Sequence, residues 1–280
     1  MDLTNITTVK RILQEYQTVA QKRLGQHFLI NAEILDHIVT AAKLTSADEV
    51  LEIGPGFGTL TRALAQKAHR VVAVEKDIAM VKACRGINAD LTNIKVVEDN
   101  ALALAEEFFR QNFPKKHYKV VANLPYYLTS AIIRFFLNSP HRPDMMVLMV
   151  QKEVAERIVA TPPDANLLSV AVQFYGKPEI ITLVPKQNFW PMPKVDSAVI
   201  RITPHKKAPA DIDDHKFFRL VKAGFGERRK QIHNSLAGGL RLEPALIQKI
   251  LSKSGIEPTR RAQTLNLTEW IKLYKNIEKL

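Results

Sequence analysis

Residues 49–59 read Glu49-Val-Leu-Glu-Ile-Gly54-Pro-Gly56-Phe-Gly58-Thr59. Val50, Leu51 and Ile53 make a short apolar run that stops at a cluster of glycines, and a helical pattern follows over 59–68. A buried strand that turns through glycines into a helix opens a nucleotide-binding α/β sheet. Glycine lets the backbone turn sharply and lets a ligand approach the main chain. Nicotinamide and flavin proteins share this signal. Its spacing narrows the choice, because Thr59 stands where the G-x-G-x-x-G pyrophosphate cradle needs its last glycine.

Outward from this turn, Ile34, Leu35, Ile38, Val39 and Ala42 share one helical face. Downstream, apolar runs at 70–75, 94–97, 118–123 and 145–150 predict strands, separated by helical patterns around Met80, Val81 and Cys84 and over 130–137. Strands alternating with helices predict a parallel sheet covered on both faces. Residues 153–159 and 167–174 read as helices, and 179–184 with 195–202 as a closing pair of strands. Between that pair, Phe189-Trp-Pro-Met-Pro193 is expected to be irregular. Composition turns to Lys, Pro and Asp around 205–214. The expected division is a Rossmann-like domain over 1–205, its first 30 residues a separate segment, and a smaller all-helical domain over 206–280.

The chain has 280 residues and a net charge of +12. Its last 80 residues hold 17 Lys and Arg against 8 Asp and Glu, so most of the excess sits there. A solvated basic surface is the plain reading and a phosphate-binding module the sharper one. Cys84 is the single cysteine, which excludes an intrachain disulfide and a cysteine-based zinc site and suits a reducing compartment. The N-terminus lacks a signal-peptide pattern, and no stretch approaches the ~18 uninterrupted apolar residues of a membrane span. A cytoplasmic protein is expected.

The strand ends carry the chemistry. Glu75 closes the second strand, 21 residues after Gly54, where a carboxylate can accept both hydroxyls of a ribose. That role does not distinguish a nicotinamide cofactor from S-adenosylmethionine. Asp99 closes the third strand, where a side-chain acceptor can take an adenine amino group; a simple turn aspartate is the alternative. The fourth strand ends in Asn123-Leu124-Pro125-Tyr126. This is similar to the motif of methyltransferases that act on the amino groups of nucleic-acid bases. An exocyclic amino nitrogen is a poor nucleophile because its lone pair delocalises into the ring. Carbonyls of Asn123 and Leu124 can accept its two N–H hydrogens and turn the lone pair toward a methyl donor. Tyr126 can stack on a base held out of its helix.

Several stretches together resemble the ribosomal RNA adenine N6,N6-dimethyltransferases, and most closely their bacterial branch that modifies two adjacent adenines in the 3′-terminal hairpin of small-subunit 16S rRNA. They are Leu24-Gly-Gln-His-Phe-Leu29, Glu52 to Gly58, Asn123 to Tyr127, Phe189-Trp-Pro-Met-Pro-Lys-Val-Asp-Ser-Ala-Val199, Phe225-Gly-Glu-Arg-Arg-Lys230 with Asn234-Ser-Leu236, and Arg261-Ala-Gln-Thr-Leu265. The resemblance covers the chain from about Lys22 onward. It implies a Rossmann-like S-adenosylmethionine-dependent methyltransferase domain with a smaller all-helical C-terminal domain, and S-adenosylmethionine as the methyl source.

The same resemblance implies roles. His27 and Leu29 would touch the cofactor, Gly54 and Gly56 lie under its methionine part, Glu75 at its ribose and Asp99 at its adenine. Asn123 would hold the target amino group at the edge of the cofactor, helped by Leu124 and Pro125, with Tyr126 and Phe189 sandwiching the target adenine. Lys222, Arg228, Arg229 and Lys230 would bind RNA phosphates. The implied partner is small-subunit rRNA within a pre-30S particle, met by a monomer with no membrane and no metal. Some relatives carry Asn at the position of His27, so His27 is not expected to be a catalytic base. Ala165-Asn166 stands where relatives often carry Tyr-Gly, which leaves the local loop geometry open. Rival readings are a large-subunit rRNA methyltransferase, a nucleic-acid-binding transcription or assembly factor, and, more distantly, a dehydrogenase.

Overall fold

The computed structural model describes residues 1–21, 25–206, 212–227 and 229–279. Leu24 and Arg228 lie outside them. The chain forms two compact units: Met1–Ala155 with Pro178–Pro204, and Glu156–Lys177 with His205–Leu280. One crossing falls beside the boundary expected at 205. The other is a detour that composition did not reveal, and its cause is aromatic. Phe174 stacks on Phe217 with ring centroids 4.6 Å apart, and Tyr175 Oη donates to Asp214 Oδ2 at 2.6 Å. These contacts hold Glu156–Lys177 in the second unit.

In chain order the first unit runs α1 (Ile6–Glu15), β1 (Phe28–Leu29), α2 (Ala32–Ala41), β2 (Glu49–Ile53), α3 (Thr59–Ala65), β3 (Arg70–Glu75), α4 (Ile78–Ile87), β4 (Ile94–Glu98), α5 (Glu106–Asn112), β5 (Lys119–Asn123), α6 (Thr129–Asn138) and β6 (Met145–Gln151). The chain continues through α7 (Lys152–Val159), α8 (Leu167–Tyr175), β7 (Gly176–Val184), β8 (Phe189–Trp190) and β9 (Ser197–Pro204). Seven strands form one sheet in the order β4-β3-β2-β5-β6-β9-β7. β2 to β6 pair in parallel, and β9 lies antiparallel to β6. The expected closing strands are thus neighbours at one edge. The chain leaves β2 toward β3 and β4, then returns to β5 on the other side, so a crevice opens at the carboxyl ends of β2 and β5.

Burial explains the apolar runs. Val50, Leu51, Val71 to Ala73, Val120 to Ala122 and Met146 to Val150 are all fully buried, as strands covered on both faces must be. Each such Leu, Ile or Val contributes about 1.5–3 kcal/mol on burial. α2 and α3 join one core cluster with Val121, Val147 and Val199, and α4 joins another with Ala73 and Val96. α1, which no reading of the sequence anticipated, is capped by Asn5 and buries Val9, Ile12 and Leu13 in a satellite cluster with Phe28 and Phe57.

The second unit holds α8 with α9 (Asp214–Phe225), α10 (Ile232–Leu240), α11 (Pro244–Lys253) and α12 (Leu267–Ile277), helical among the described residues as expected. Trp270 is fully buried in it. Asn166, at the departure from the family pattern, is the N-cap of α8. Its side chain accepts the N–H groups of Leu168 and Ser169, while Ser169 accepts that of Asn166.

Gly58 starts α3 at φ +95°, and a Cβ there would meet Asn88 Nδ2 at 2.2 Å and Cys84 Sγ at 2.9 Å. Asn88 cannot yield, since it is 3% exposed and its amide donates to Cys84 O at 2.9 Å. Gly58→Ala is therefore expected to cost roughly 2–5 kcal/mol, the left-handed backbone and the overpacking together. The melting temperature should fall by roughly 10 °C; an unchanged melting curve would refute this account of the turn.

Candidate active site

A cavity of about 240 Å³ lies at the carboxyl ends of β2, β3, β4 and β5. His27, Leu29, Gly54, Gly56, Glu75, Asp99 and the whole of Asn123-Leu124-Pro125-Tyr126 line it, so the fold gathers nearly all the expected cofactor and target residues. Gly54 and Gly56 have φ of +67° and +57°. The Gly54 N–H donates to Val74 O at 2.9 Å, which ties the turn to β3. A Cβ on Gly56 would come within 3.2 Å of Phe28 Cε1, because β1 rests on the turn.

Glu75 organises the floor. Oε2 accepts the Gly56 N–H at 3.2 Å, and Oε1 accepts those of Lys76 and Asp77 at 2.8 and 2.9 Å. Burial raises its pKa, the three N–H donors oppose this, and the Asp77 charge adds to the rise. Asp99 is exposed at the rim and accepts the Asn100 N–H through Oδ1 at 2.6 Å.

Asn123 Nδ2 donates to the His27 carbonyl at 3.2 Å. A carbonyl only accepts, so the amide nitrogen must be the atom turned to it. Among the described residues, nothing donates to Asn123 Oδ1, which is left as an acceptor. Leu124 N–H donates to Met149 O at 3.3 Å. Tyr126 Oη lies 2.8 Å from Ser197 Oγ, and its ring stacks on that of His27, centroids 5.8 Å apart at 24°.

Two findings depart from the sequence reading. Phe189 is 2% exposed, belongs to the core cluster with Leu29 and Ile38, and does not line the cavity. The ring beside Tyr126 is that of His27. The cause is β8, where a loop was expected: Phe189 pairs with Leu29 and Trp190 with Phe28. Both residues keep the N–H that pairing needs, and Pro191 ends it. The second finding is Glu52, missed as a site residue. It lines the cavity at 1% exposure, and its Oε2 has no partner among the described residues. Burial pushes its carboxyl up to about 8; a Thr61 hydrogen bond opposes this and the Glu75 charge adds to it. A charged residue inside an apolar central strand was the available signal.

Of the basic residues, Lys222, Arg229 and Lys230 are exposed, and Lys230 pairs with Glu227 at 2.8 Å. Arg228 lies outside the described residues. Among the described residues no helix is long and apolar enough to cross a membrane.

A Rossmann-like sheet with a glycine turn after its first parallel strand, a carboxylate after the second and Asn-Leu-Pro-Tyr after the fourth defines an S-adenosylmethionine-dependent methyltransferase. A family model described as ribosomal RNA adenine dimethylase matches residues 17–273, and the chain belongs to that family. It is 43% identical over 266 residues to "Ribosomal RNA small subunit methyltransferase A" of Dehalococcoides mccartyi (strain BAV1), covering 94% of this chain and 90% of the relative. It is 40% identical over 278 residues to the protein of that name from Alkaliphilus oremlandii, covering 96% of each. Among solved structures, a dimethyladenosine transferase from Plasmodium falciparum superposes with TM-score 0.78 at 26% identity, covering 90% of this chain and 98% of that one. The 23S rRNA methyltransferase ErmE superposes with TM-score 0.72 at 26% identity, covering 90% and 99%.

Proposed function

We propose that the protein dimethylates N6 of two adjacent adenines in the 3′-terminal hairpin of 16S rRNA, acting as a cytoplasmic monomer on a pre-30S particle during ribosome biogenesis. The observation that carries this is Asn123. Its amide nitrogen is engaged by His27 O, which leaves Oδ1 to accept one amino hydrogen of the target. The Leu124 carbonyl accepts the other. The nitrogen lone pair is then directed out of conjugation with the ring, and orientation replaces a strong base. Tyr126 stacks on the adenine as it leaves its helix.

S-adenosylmethionine supplies an electrophilic sulfonium methyl. The cavity fits it by chemistry. Glu75 can hold ribose hydroxyls, Asp99 the adenine amino group, and His27, Leu29, Gly54 and Gly56 the remaining wall. The unpartnered Glu52 Oε2 suits the positively charged end of the methionine part. No metal takes part in this scheme.

The basic residues of the second unit would fix register on RNA phosphates. If Lys222, Arg228, Arg229 and Lys230 each neutralise one phosphate, affinity for the RNA should fall roughly 50- to 150-fold between about 50 and 200 mM salt. A salt-insensitive affinity counts against that assignment.

The deciding experiment incubates the protein with radiolabelled S-adenosylmethionine and small subunits from cells lacking the modification, with large subunits in parallel. Label recovered as N6,N6-dimethyladenosine from small-subunit RNA supports the proposal. Label on large subunits replaces it with the activity that ErmE's description names. Binding without label points to an assembly or transcription factor.

A further inference from the structure

Tyr126 is held by groups from outside its own turn. Its hydroxyl meets Ser197 Oγ at 2.8 Å, and its ring stacks on His27. His27 is itself held, because its Nδ1 lies 2.7 Å from Pro191 O. That carbonyl can only accept, so Nδ1 carries the proton and the ring orientation is fixed. Pro191 follows β8 directly, and Ser197 opens β9. Ser197 is fully buried and its backbone stands opposite Gln151 in the β6–β9 register. The Ser197 brace is therefore rooted in the sheet. The His27 carbonyl also holds Asn123, so one residue sets the amide and the ring together.

A centroid separation of 5.8 Å is direct ring contact, and a base inserted between the two rings would need roughly twice a stacking distance. The target base must therefore use the face of Tyr126 away from His27. We infer that Ser197 is a positioning residue for methyl transfer. With His27 held by Pro191, it fixes the angle of the Tyr126 ring on which the target adenine stacks. The inference rests on the reading of Tyr126 as the base platform.

The test is a cycle of Ser197→Ala, Tyr126→Phe and the double variant in the full chain, assayed on unmodified small subunits. Each single variant should lower kcat roughly 10-fold, the effect of one lost orienting hydrogen bond. KM for S-adenosylmethionine should stay within about twofold, and the double variant should be no slower than either single one. In an RNA hairpin with 2-aminopurine at the target position, the quenching seen on binding wild type should weaken in both single variants. Losses that multiply, an unchanged kcat, or a loss carried by KM for the cofactor overturn the inference. If Ser197→Ala fails to fold, Tyr126→Phe removes the same hydrogen bond from a half-buried ring, and its kcat and quenching decide alone. Wild type labelling large subunits would change the substrate and leave the cycle readable on that RNA. Wild type labelling neither removes both readings.

Discussion

Replacing Asn123 with alanine is expected to slow methyl transfer by roughly 10²–10³-fold, about 2.7–4 kcal/mol of barrier, the usual effect of deleting one preorganised polar contact to the reacting group. Affinity for S-adenosylmethionine should fall only severalfold, because the glycine turn, Glu75 and Asp99 remain. Overall structure should persist, since among the described residues the Asn123 side chain makes one hydrogen bond, to His27 O, at the cavity edge. Single-turnover kinetics with labelled cofactor measure the chemical step, and calorimetric titration measures binding. A rate within threefold of wild type would remove Asn123 from the mechanism. A collapse of cofactor affinity with little further loss in rate would reassign it to the cofactor. Asn123→Asp keeps an acceptor but sets a carboxylate against the His27 carbonyl, so it should be impaired, though less than Asn123→Ala.

Glu52→Gln is expected to raise stability at alkaline pH. Burial pushes the Glu52 carboxyl from 4.5 up to about 8 in the folded chain. Below about pH 4.5 both states hold the proton and its full contribution to stability is present. As pH rises toward about 8, only the unfolded chain releases the proton, and the contribution is lost. At about 1.36 kcal/mol per pH unit, the loss is on the order of 5 kcal/mol at most. Glutamine has the shape of the protonated acid and no proton to lose. Urea midpoints of the two proteins should therefore nearly coincide at pH 5 and separate by pH 8.5 in favour of Glu52→Gln. Asp48 and Glu269, whose pKa values are lowered by their hydrogen bonds and cationic partners against the cost of burial, lose their contributions only as pH falls, and they do so alike in both proteins. Midpoints that fall in parallel as pH rises would clear Glu52.

The legible parts of this protein are those written in local chemistry. The apolar runs at 70–75 and 145–150, and the one at 49–53 broken by Glu52, read as buried strands, because a strand covered on both faces has little polar side to show. Glycines at positive φ betray the turn, and Asn123-Leu-Pro-Tyr126 names its own chemistry. The illegible parts are short or depend on distant contacts. α1 carries a readable period, with Val9, Ile12 and Leu13 at i, i+3 and i+4, but its partners Phe28 and Phe57 lie far along the chain. The detour of Glu156–Lys177 rests on Phe174 and Tyr175 meeting residues some 40 positions later.

By itself the sequence determined the parallel α/β sheet, the glycine turn, the strand-end carboxylates and the target-amine motif, because each depends on residue type and spacing within a few positions. Tertiary structure alone decided which aromatic ring meets Tyr126 and which carboxyl is left unpaired. Phe189 and His27 are both aromatic and both lie beside prolines or glycines in sequence. Only the pairing of β1 with β8 turns Phe189 into the core and brings His27 to the cavity. Glu52 stands out in sequence as a charge inside an apolar strand, but only burial on the cavity wall, with one oxygen unpartnered among the described residues, separates it from one that faces water.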